Sequence, residues 1–278
     1  MQIKTNQIFN IDCVQGMALL PDNYVDIIIA DPPYNLSKGN SWRWDSSADL
    51  KGFGGNWSKV MESWDNMPLF DYLVFCMAWL RQCKRVLKPS GSMWVHGSYH
   101  NIGVINTCLQ ILEIEIINEV IWFKRNSFPN LSGRRLTASH ETILWAHSGD
   151  PKMREYFFAY EKSKNNVYDY DLIKKEGKQM RTVWDLPNNK DKIELKYGKH
   201  PTQKPIKLLR RMIDISAQPS MIGLSPFSGS GSECVAFKEM GLEYIGFEVV
   251  KEFCEISEKR LQEVKTGQAI LTSRGCNA

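Results

Sequence analysis

The sequence predicts an α/β fold, a mostly parallel and doubly wound sheet with helices on both faces. Short β-branched runs, such as Val25–Ala30, alternate with amphipathic stretches of helical length, such as residues 69–87. Clusters of turn residues, at 21–23 and 88–91, separate these runs. Two loops rich in Pro, Gly and polar residues follow apolar runs directly, at the carboxyl edge where doubly wound folds place their chemistry.

Each element follows from its local pattern. The predicted strands are residues 7–11, 25–30, 92–97, 116–123, 141–146, 221–224 and 244–248, and the predicted helices are residues 12–20, 69–87, 102–112, 205–215, 232–240 and 251–264. Residues 35–65 are too long and too polar for an ordinary connection, so we expect a functional or mobile loop there.

Composition limits the class of protein. The chain has 278 residues, 43% hydrophobic and 24% charged, which is ordinary for a globular protein. It has no apolar run long enough to span a bilayer and no apolar segment near its first residue, so neither a membrane span nor a secretory signal is expected. Its seven scattered cysteines favour free thiols and a cytoplasmic location.

The basic residues are unevenly distributed. Residues 124–211 hold 20 Lys and Arg against 10 Asp and Glu, whereas the remainder holds 15 against 21. This asymmetry fits a segment that faces a polyanion, and it fits a solvated lysine-rich face equally well.

One loop has the composition of a nucleoside site. Its residues are Ser225, Pro226, Phe227, Ser228, Gly229, Ser230, Gly231 and Ser232. Glycines between a strand and a helix allow close approach of a ligand, and Glu248 ends the next predicted strand, where an acid can bind ribose hydroxyls. The loop lacks the third glycine of a dinucleotide site and the Gly-Lys-Ser/Thr of a P-loop. A cationic ligand without phosphate, S-adenosylmethionine, is therefore favoured.

The other loop, which follows the strand ending at Ala30, suits transfer to an exocyclic amine. It consists of Asp31, Pro32, Pro33 and Tyr34. The lone pair of such an amine is delocalised into the base, and a carboxylate that accepts its hydrogen bond favours pyramidal nitrogen. The prolines stiffen the loop, and the tyrosine offers a flat face to an extruded base.

A third motif lies between these two loops and reads Lys199-His200-Pro201-Thr202-Gln203-Lys204-Pro205. Together the three motifs resemble the β-class DNA amino-methyltransferases of restriction-modification systems. The resemblance covers nearly the whole chain. It implies an S-adenosylmethionine-dependent methyltransferase fold with permuted motif order. It divides the chain into a catalytic half (1–149), a basic target-recognition insertion (150–199), a cofactor-binding half (200–265) and a tail (266–278).

The resemblance also implies roles for individual residues. Asp31 to Tyr34 would form the catalytic loop, with adenine favoured as target because the first residue is Asp. The residues expected to bind the cofactor are Asp12, His200, Thr202, Lys204, Phe227, Ser228, Gly229, Ser230, Gly231, Ser232 and Glu248. Arg134, Arg135, His140 and Glu141 fall at a motif near the base.

The basic segment supplies the predicted DNA contacts. Its candidates combine cations for phosphates with side chains that read base edges, and they are Lys124, Arg125, Asn126, Arg134, Arg135 and Arg181. Residues 128–132 and 178–184 look similar to segments of class members that methylate GATC. The aromatics between 156 and 184 are interpreted as local core rather than as stacking platforms.

The chain departs from the family at Ser225, where Asp is usual. Serine carries no charge to face the cofactor's ammonium group, so weaker cofactor binding is predicted, and Ser225→Asp tests this by the change in Kd. Three alternatives remain: a cytosine-N4 enzyme, a DNA-binding homologue with weakened activity, and an enzyme acting on RNA or protein amides.

Neither a covalent thiolate mechanism nor a metal site is expected, because the cysteines lie in helix-like stretches or in the tail. Double-stranded DNA is the expected partner, and a homodimer and a cognate restriction endonuclease accompany the class.

Overall fold

The computed structural model describes residues 3–35, 67–127, 129, 134–188, 194–197 and 203–269. Its strands are β1 (Gln7–Asn10), β2 (Val25–Ala30), β3 (Leu87–Gly97), β4 (Glu115–Phe123), β5 (His140–His147), β6 (Val183–Asp185), β7 (Ile222–Ser225) and β8 (Glu243–Glu248). Its helices are α1 (Cys13–Ala18), α2 (Leu69–Val86), α3 (Ile102–Ile111), α4 (Tyr160–Asn165), α5 (Ile206–Ser216), α6 (Ser232–Glu239) and α7 (Lys251–Glu263).

These eight strands form one sheet in the order β1-β8-β7-β2-β3-β5-β4-β6. Every neighbouring pair is parallel except the two that involve β5, which runs antiparallel to both β3 and β4. The late strands β7 and β8 lie between the early strands β1 and β2, so the two halves of the sheet are exchanged relative to chain order. The predicted α/β, mostly parallel fold with permuted motifs is confirmed.

Helices cover both faces of the sheet, and each face has its own core. On β2, Ile27 and Ile29 face a cluster that holds the buried side chains of α5 and α6. Val25, Ile28 and Ala30 face the opposite cluster, which holds those of α1, α2 and α3. Because both faces of β2 are buried, its run is continuously apolar rather than alternating.

The strand β3 begins five residues earlier than its sequence indicates. Residues 88–91 have the composition of a turn, yet they extend the strand, and the register with β2 shifts between Val25 and Ile27. Lys88 pairs with Asp26 at 2.7 Å beside this irregularity, so the extra residues are accommodated without breaking the pairing.

The segment after β5 adds a strand to the sheet. Strand β6 pairs in parallel with β4, and Trp184 is buried in the core. Arg211 of α5 pairs with Asp171 and lies between the rings of Tyr168 and Trp184, 4.5 Å from each centroid. Residues 168–185 are therefore packed against the sheet. The prediction that Trp184 belongs to the core is confirmed. The extent of the target-recognition insertion stays a prediction.

Within the described ranges, none of the helices combines the length and apolarity that crossing a bilayer requires.

Candidate active site

The catalytic loop leaves the sheet directly at the end of β2. Tyr72 of α2 fixes its course, because the phenol donates a hydrogen bond of 2.7 Å to the carbonyl of Pro33. The amide of Asn101 donates in turn to the Tyr72 hydroxyl at 3.0 Å. The loop is thus positioned by a side chain of α2 and by that of the residue before α3, two helices on the same face of the sheet.

Four charged side chains and one phenol meet at this loop, and we call them the acid cluster: Asp31, Tyr34, Lys124, Glu141 and Lys204. The ammonium of Lys204 donates to Oδ2 of Asp31 at 2.7 Å and lies 3.6 Å from Oε2 of Glu141. Lys124 donates to Oε1 of Glu141 at 2.8 Å, and the Tyr34 hydroxyl donates to Oε2 at 3.1 Å. The acid cluster brings together residues that follow β2 and β4, one residue of β5, and Lys204, which lies two positions before the start of α5.

Burial and mutual attraction set the ionisation of the acid cluster. Burial would raise the pKa of Glu141, but Lys204 and Lys124 outweigh it and hold that pKa at about 2. Burial would lower the pKa of Lys204, but Asp31 and Glu141 outweigh it and raise that pKa. Burial is the largest cause that raises the pKa of the Tyr34 phenol, and the nearby Asp31 and Glu141 raise it further. At neutral pH the cluster therefore holds charged Glu141 and Lys204 beside a neutral phenol.

One oxygen of Asp31 stands apart from this network. Oδ1 is buried and has no hydrogen-bond partner within the described part of the chain. A buried carboxylate oxygen without a donor is costly, so a ligand that brings an N–H group would be bound favourably. An exocyclic amine is such a ligand.

His96, near the end of β3, lies beneath the same cluster. Both of its ring nitrogens are buried without a partner among the described residues. Burial, followed by the nearby Lys204, lowers its pKa to about 4, so the imidazole is neutral. The sequence offered no signal for this residue beyond its position in a buried strand.

The cofactor loop leaves the sheet beside the catalytic loop, because β7 is the parallel neighbour of β2. Gly229 and Gly231 have φ of 49° and 78°, a region that favours glycine. A Cβ on Gly231 would come within 2.8 Å of the Ser257 side chain. Phe227 anchors the loop by packing edge-on against Trp79 at 5.3 Å between centroids.

Glu248 lies at the end of β8, on the next strand along this edge. Its carboxylate accepts from the backbone N–H of Gly229 and of Val250, both at 2.8 Å. Asp12 follows β1, which pairs with β8, and it caps α1 by accepting from Val14 N at 2.9 Å. The structure thus brings Asp12, Glu248 and the glycine loop to one edge.

Two further side chains hold the cofactor loop: Arg260, which sequence analysis missed, and Gln203, which it named only as part of the motif at residues 199–205. Arg260 of α7 donates to the hydroxyls of Ser230 and Ser232 at 3.0 and 3.1 Å. The Ser230 hydroxyl donates to the Gln203 side chain at 3.1 Å. Because Arg260 is 5% exposed in an otherwise polar helix, only its burial reveals its role.

This edge fits a nucleoside with a cationic amino-acid arm. The glycine turn follows β7 directly, and the Ser225 hydroxyl is buried without a partner among the described residues. Asp12 and Glu248 lie at the ends of the paired strands β1 and β8 at this edge, and acidic groups suit a cationic ligand. His200 and Thr202 lie outside the described residues, while Lys204 donates to Asp31 at 2.7 Å.

Sequence relatives identify the family. The model of a family described as DNA methylase, the N6 and N4 methyltransferases, matches residues 25–259. The chain belongs to this DNA methylase family. The type II methyltransferase M.HinfI of Haemophilus influenzae is 37% identical over 94% of this chain and 69% of its own length. The type II methyltransferase M2.DpnII of Streptococcus pneumoniae is 39% identical over 90% and 87%.

Solved structures show the same fold. The M1.HpyAVI complex with S-adenosylmethionine has a TM-score of 0.62 and 24% identity, covering 92% of this chain and 98% of that one. The cytosine-N4-specific PvuII DNA methyltransferase has a TM-score of 0.70 and 15% identity, covering 98% and 92%. The predictions of a DNA methyltransferase, of its fold and of S-adenosylmethionine as cofactor are therefore confirmed.

The predicted DNA contacts of this DNA methyltransferase fall into two groups. Arg134, Arg135 and Arg181 are exposed, and Arg135 donates to the Tyr99 hydroxyl at 3.1 Å. The others are engaged within the protein: Lys124 belongs to the acid cluster, Arg125 pairs with Asp185 at 2.8 Å, and the Asn126 side chain accepts from Asn188 N at 2.7 Å. Residues 128 and 130–133 lie outside the described ranges.

The six described cysteines of the methyltransferase lie in the predicted helices, in α1, α2, α3, α6 and α7, and Cys276 lies outside the described residues. The described ones are buried free thiols: Cys13, Cys76, Cys83, Cys108, Cys234 and Cys254. Burial raises the pKa of Cys76 to about 12, and it raises those of the others as well. Such thiols are poor nucleophiles.

Proposed function

We propose that this DNA methyltransferase methylates the N6 amine of an adenine flipped out of duplex DNA. The observation that carries the proposal is the unpartnered, buried Oδ1 of Asp31 at the edge it shares with the cofactor loop. That oxygen suits an N–H donor, and the neighbouring loop suits the cationic cofactor.

Each residue of the site has a distinct role in methyl transfer. Asp31 accepts a hydrogen bond from the amine, which draws the nitrogen lone pair out of the ring and aims it at the methyl group. Tyr34 offers the base a rigid ring, whose hydroxyl is held by Glu141. S-adenosylmethionine, when bound, supplies a methyl group activated by the sulfonium. Lys204 keeps Glu141 ionised. It also positions Asp31 by donating to Oδ2, which leaves Oδ1 for the amine.

Adenine is proposed because Asp stands first in the catalytic loop, and GATC because residues 128–132 and 178–184 resemble GATC-methylating members of the class. The test is a plasmid incubated with the protein and S-adenosylmethionine, followed by digestion to nucleosides and mapping of the modified positions. We expect N6-methyladenine within GATC, and none with Asp31→Ala protein as the matched control. N6-methyladenine at another sequence would contradict the proposed GATC specificity but not the proposed adenine-N6 activity.

A cytosine-N4 enzyme is the second candidate, since the PvuII enzyme of that specificity shares the fold at a TM-score of 0.70. The same nucleoside digest separates the two, because N4-methylcytosine and N6-methyladenine differ in mass and retention. A DNA-binding homologue with weakened activity, motivated by Ser225, would give neither product and would fail to bind the cofactor in a titration.

The expected partners belong to the same proposal. A homodimer, a cognate restriction endonuclease and a cytoplasmic site of action accompany the class that the sequence resembles. Light scattering of the purified protein tests the dimer, and a mass of about one chain at micromolar concentration would exclude it.

A further inference from the structure

Glu233, in the first turn of α6, is a buried acid that the proposed reaction does not use. Its residue exposure is 3%, and it follows the cofactor loop directly. The charges that act on it come from three other places in the fold: Asp31 after β2, Lys204 before α5 and Arg260 on α7. Glu233 is therefore a buried acid directly after the cofactor loop, which follows β7, the neighbour of the strand that precedes the catalytic loop.

Lys204 and Nη1 of Arg260 donate to other partners, whereas Nη2 of Arg260 is buried without a partner among the described residues. Lys204 donates to Asp31 at 2.7 Å, and Arg260 donates to the Ser230 and Ser232 hydroxyls. Glu233 is left facing a second acid, Asp31. Burial, followed by Asp31, raises the pKa of Glu233 to about 8, against the weaker opposite effect of Lys204 and Arg260. Two acids in a buried site of this kind favour a cationic ligand.

The cofactor loop lacks the acid that its resemblance to the family leads one to expect. At that position Ser225 is fully buried, and its hydroxyl has no partner among the described residues. Ser225 ends β7, and Glu233 lies in the first turn of α6 on the other side of the glycine turn. An acid is thus present, but on the opposite side of the loop, and it must ionise to supply the missing charge.

We propose that Glu233 binds the ammonium group of S-adenosylmethionine and replaces the acid missing at position 225. The ammonium is the partner rather than the sulfonium, because a carboxylate accepts hydrogen bonds and a sulfonium has no hydrogen to donate. This inference rests on the proposed cofactor site.

The test is calorimetric titration of the DNA-free protein with S-adenosylmethionine. Glu233→Gln keeps the shape and removes the charge, so we expect the Kd to rise at least tenfold. Glu239→Gln is the matched control, since Glu239 is a buried acid of the same helix that pairs with Arg210 instead. Its Kd is expected to stay within twofold of wild type. Equal Kd values for Glu233→Gln and wild type would overturn the inference.

Two analogues show which part of the ligand Glu233 contacts. S-adenosylhomocysteine keeps the ammonium and lacks the sulfonium, so Glu233→Gln should weaken it as much as it weakens the cofactor. Methylthioadenosine lacks the amino-acid arm, so its Kd should not change. If Glu233→Gln weakened methylthioadenosine equally, the residue would be shaping the fold, and the inference would be wrong.

Restoring the charge on the other side of the loop gives an independent check. The double variant Ser225→Asp, Glu233→Gln should recover most of the lost affinity. A double variant that binds as weakly as Glu233→Gln overturns the claim that one acid replaces the other.

Proton release provides a readout that a purely structural residue would not give. The groups that face Glu233 are Asp31, Lys204, Arg260 and the Cys234 thiol. A carboxyl that is protonated at pH 6.5 must ionise to bind the ammonium, so about one proton leaves the protein on binding. Titrations in buffers of different ionisation enthalpy measure it, and Glu233→Gln should abolish it. The absence of proton release in the wild type would count against the inference.

The two proposals fail in different ways. A wild-type protein that binds no S-adenosylmethionine contradicts the proposed function itself. A wild-type protein that binds it, with Glu233→Gln binding equally well, contradicts only the role of Glu233.

Discussion

The ammonium of Lys204 lies 2.7 Å from Oδ2 of Asp31, although 173 positions separate the two residues in the chain. The same ammonium lies 5.0 Å from the centroid of the Tyr34 ring. One cation therefore joins the segment before α5 to both ends of the catalytic loop.

Removing this cation should change the pH dependence of methyl transfer. Without Lys204, Lys124 alone of the two lysines opposes the effect of burial, so the pKa of Glu141 rises from its present value of about 2. A carboxyl with a raised pKa takes up its proton at a higher pH, so activity should be lost earlier as the pH falls. We expect the acidic limb of the single-turnover rate to move up by at least about one pH unit in Lys204→Met. Lys207→Met, which removes an exposed charge of α5, should leave it in place.

Asp31→Ala should abolish methyl transfer while leaving the Kd of S-adenosylmethionine near that of the wild type. The carboxylate acts on the amine, and its loss removes the group that orients the nitrogen lone pair. The measurement is the single-turnover rate with saturating DNA and cofactor. Transfer that survives within about tenfold, roughly 1.4 kcal/mol of barrier, would remove Asp31 from the catalytic role.

Two substitutions of Tyr34 separate its ring from its hydroxyl. Tyr34→Phe loses only the hydrogen bond to Glu141 and should lower the transfer rate less than tenfold. Tyr34→Ala loses the flat surface and should lower it at least a hundredfold. Fluorescence of 2-aminopurine at the target position reports whether the base is held outside the duplex. Equal losses in both variants would show that the hydroxyl, and not the ring, matters.

Arg181 is the exposed candidate for a phosphate contact on the segment before β6. Arg181→Ala should weaken binding of duplex DNA of any sequence, and it should reduce the slope of log K against log salt by about one. Filter binding between 50 and 200 mM salt, about the range over which such contacts respond, measures both. Lys259→Ala on α7 removes an equally exposed charge and serves as the control. An unchanged slope in Arg181→Ala would exclude the contact.

Asp171→Asn should destabilise the fold by about 3 kcal/mol, because it leaves the guanidinium of Arg211 buried without its charge partner. Both side chains of this pair are 1% exposed. Urea denaturation measures the free energy of unfolding. Asp22→Asn breaks the pair with Arg85, in which the aspartate is 69% exposed, and should cost less than about 1 kcal/mol. Similar losses in both variants would argue against the difference in burial as the cause.

Local patterns predicted most of the fold. The bounds of β2 match the predicted run of residues 25–30, and the helices α2 and α3 begin where the amphipathic pattern begins. The exceptions have local causes that the pattern hides. β3 starts early because a shifted register absorbs turn-like residues, and β6 is too short to show a period.

The sequence by itself determined the order of strands and helices and the two loops that follow β2 and β7, because hydrophobic periodicity and turn composition are properties of neighbouring residues. Only the tertiary structure decided which side chains meet. The contact of Lys204 with Asp31 and the burial of Glu233 depend on β7 lying beside β2 and on α5 packing against the sheet. The contact of Lys124 with Glu141 depends on the pairing of β4 with β5. Contacts across more than a hundred residues follow from strand order and packing, and a local pattern carries no information about either.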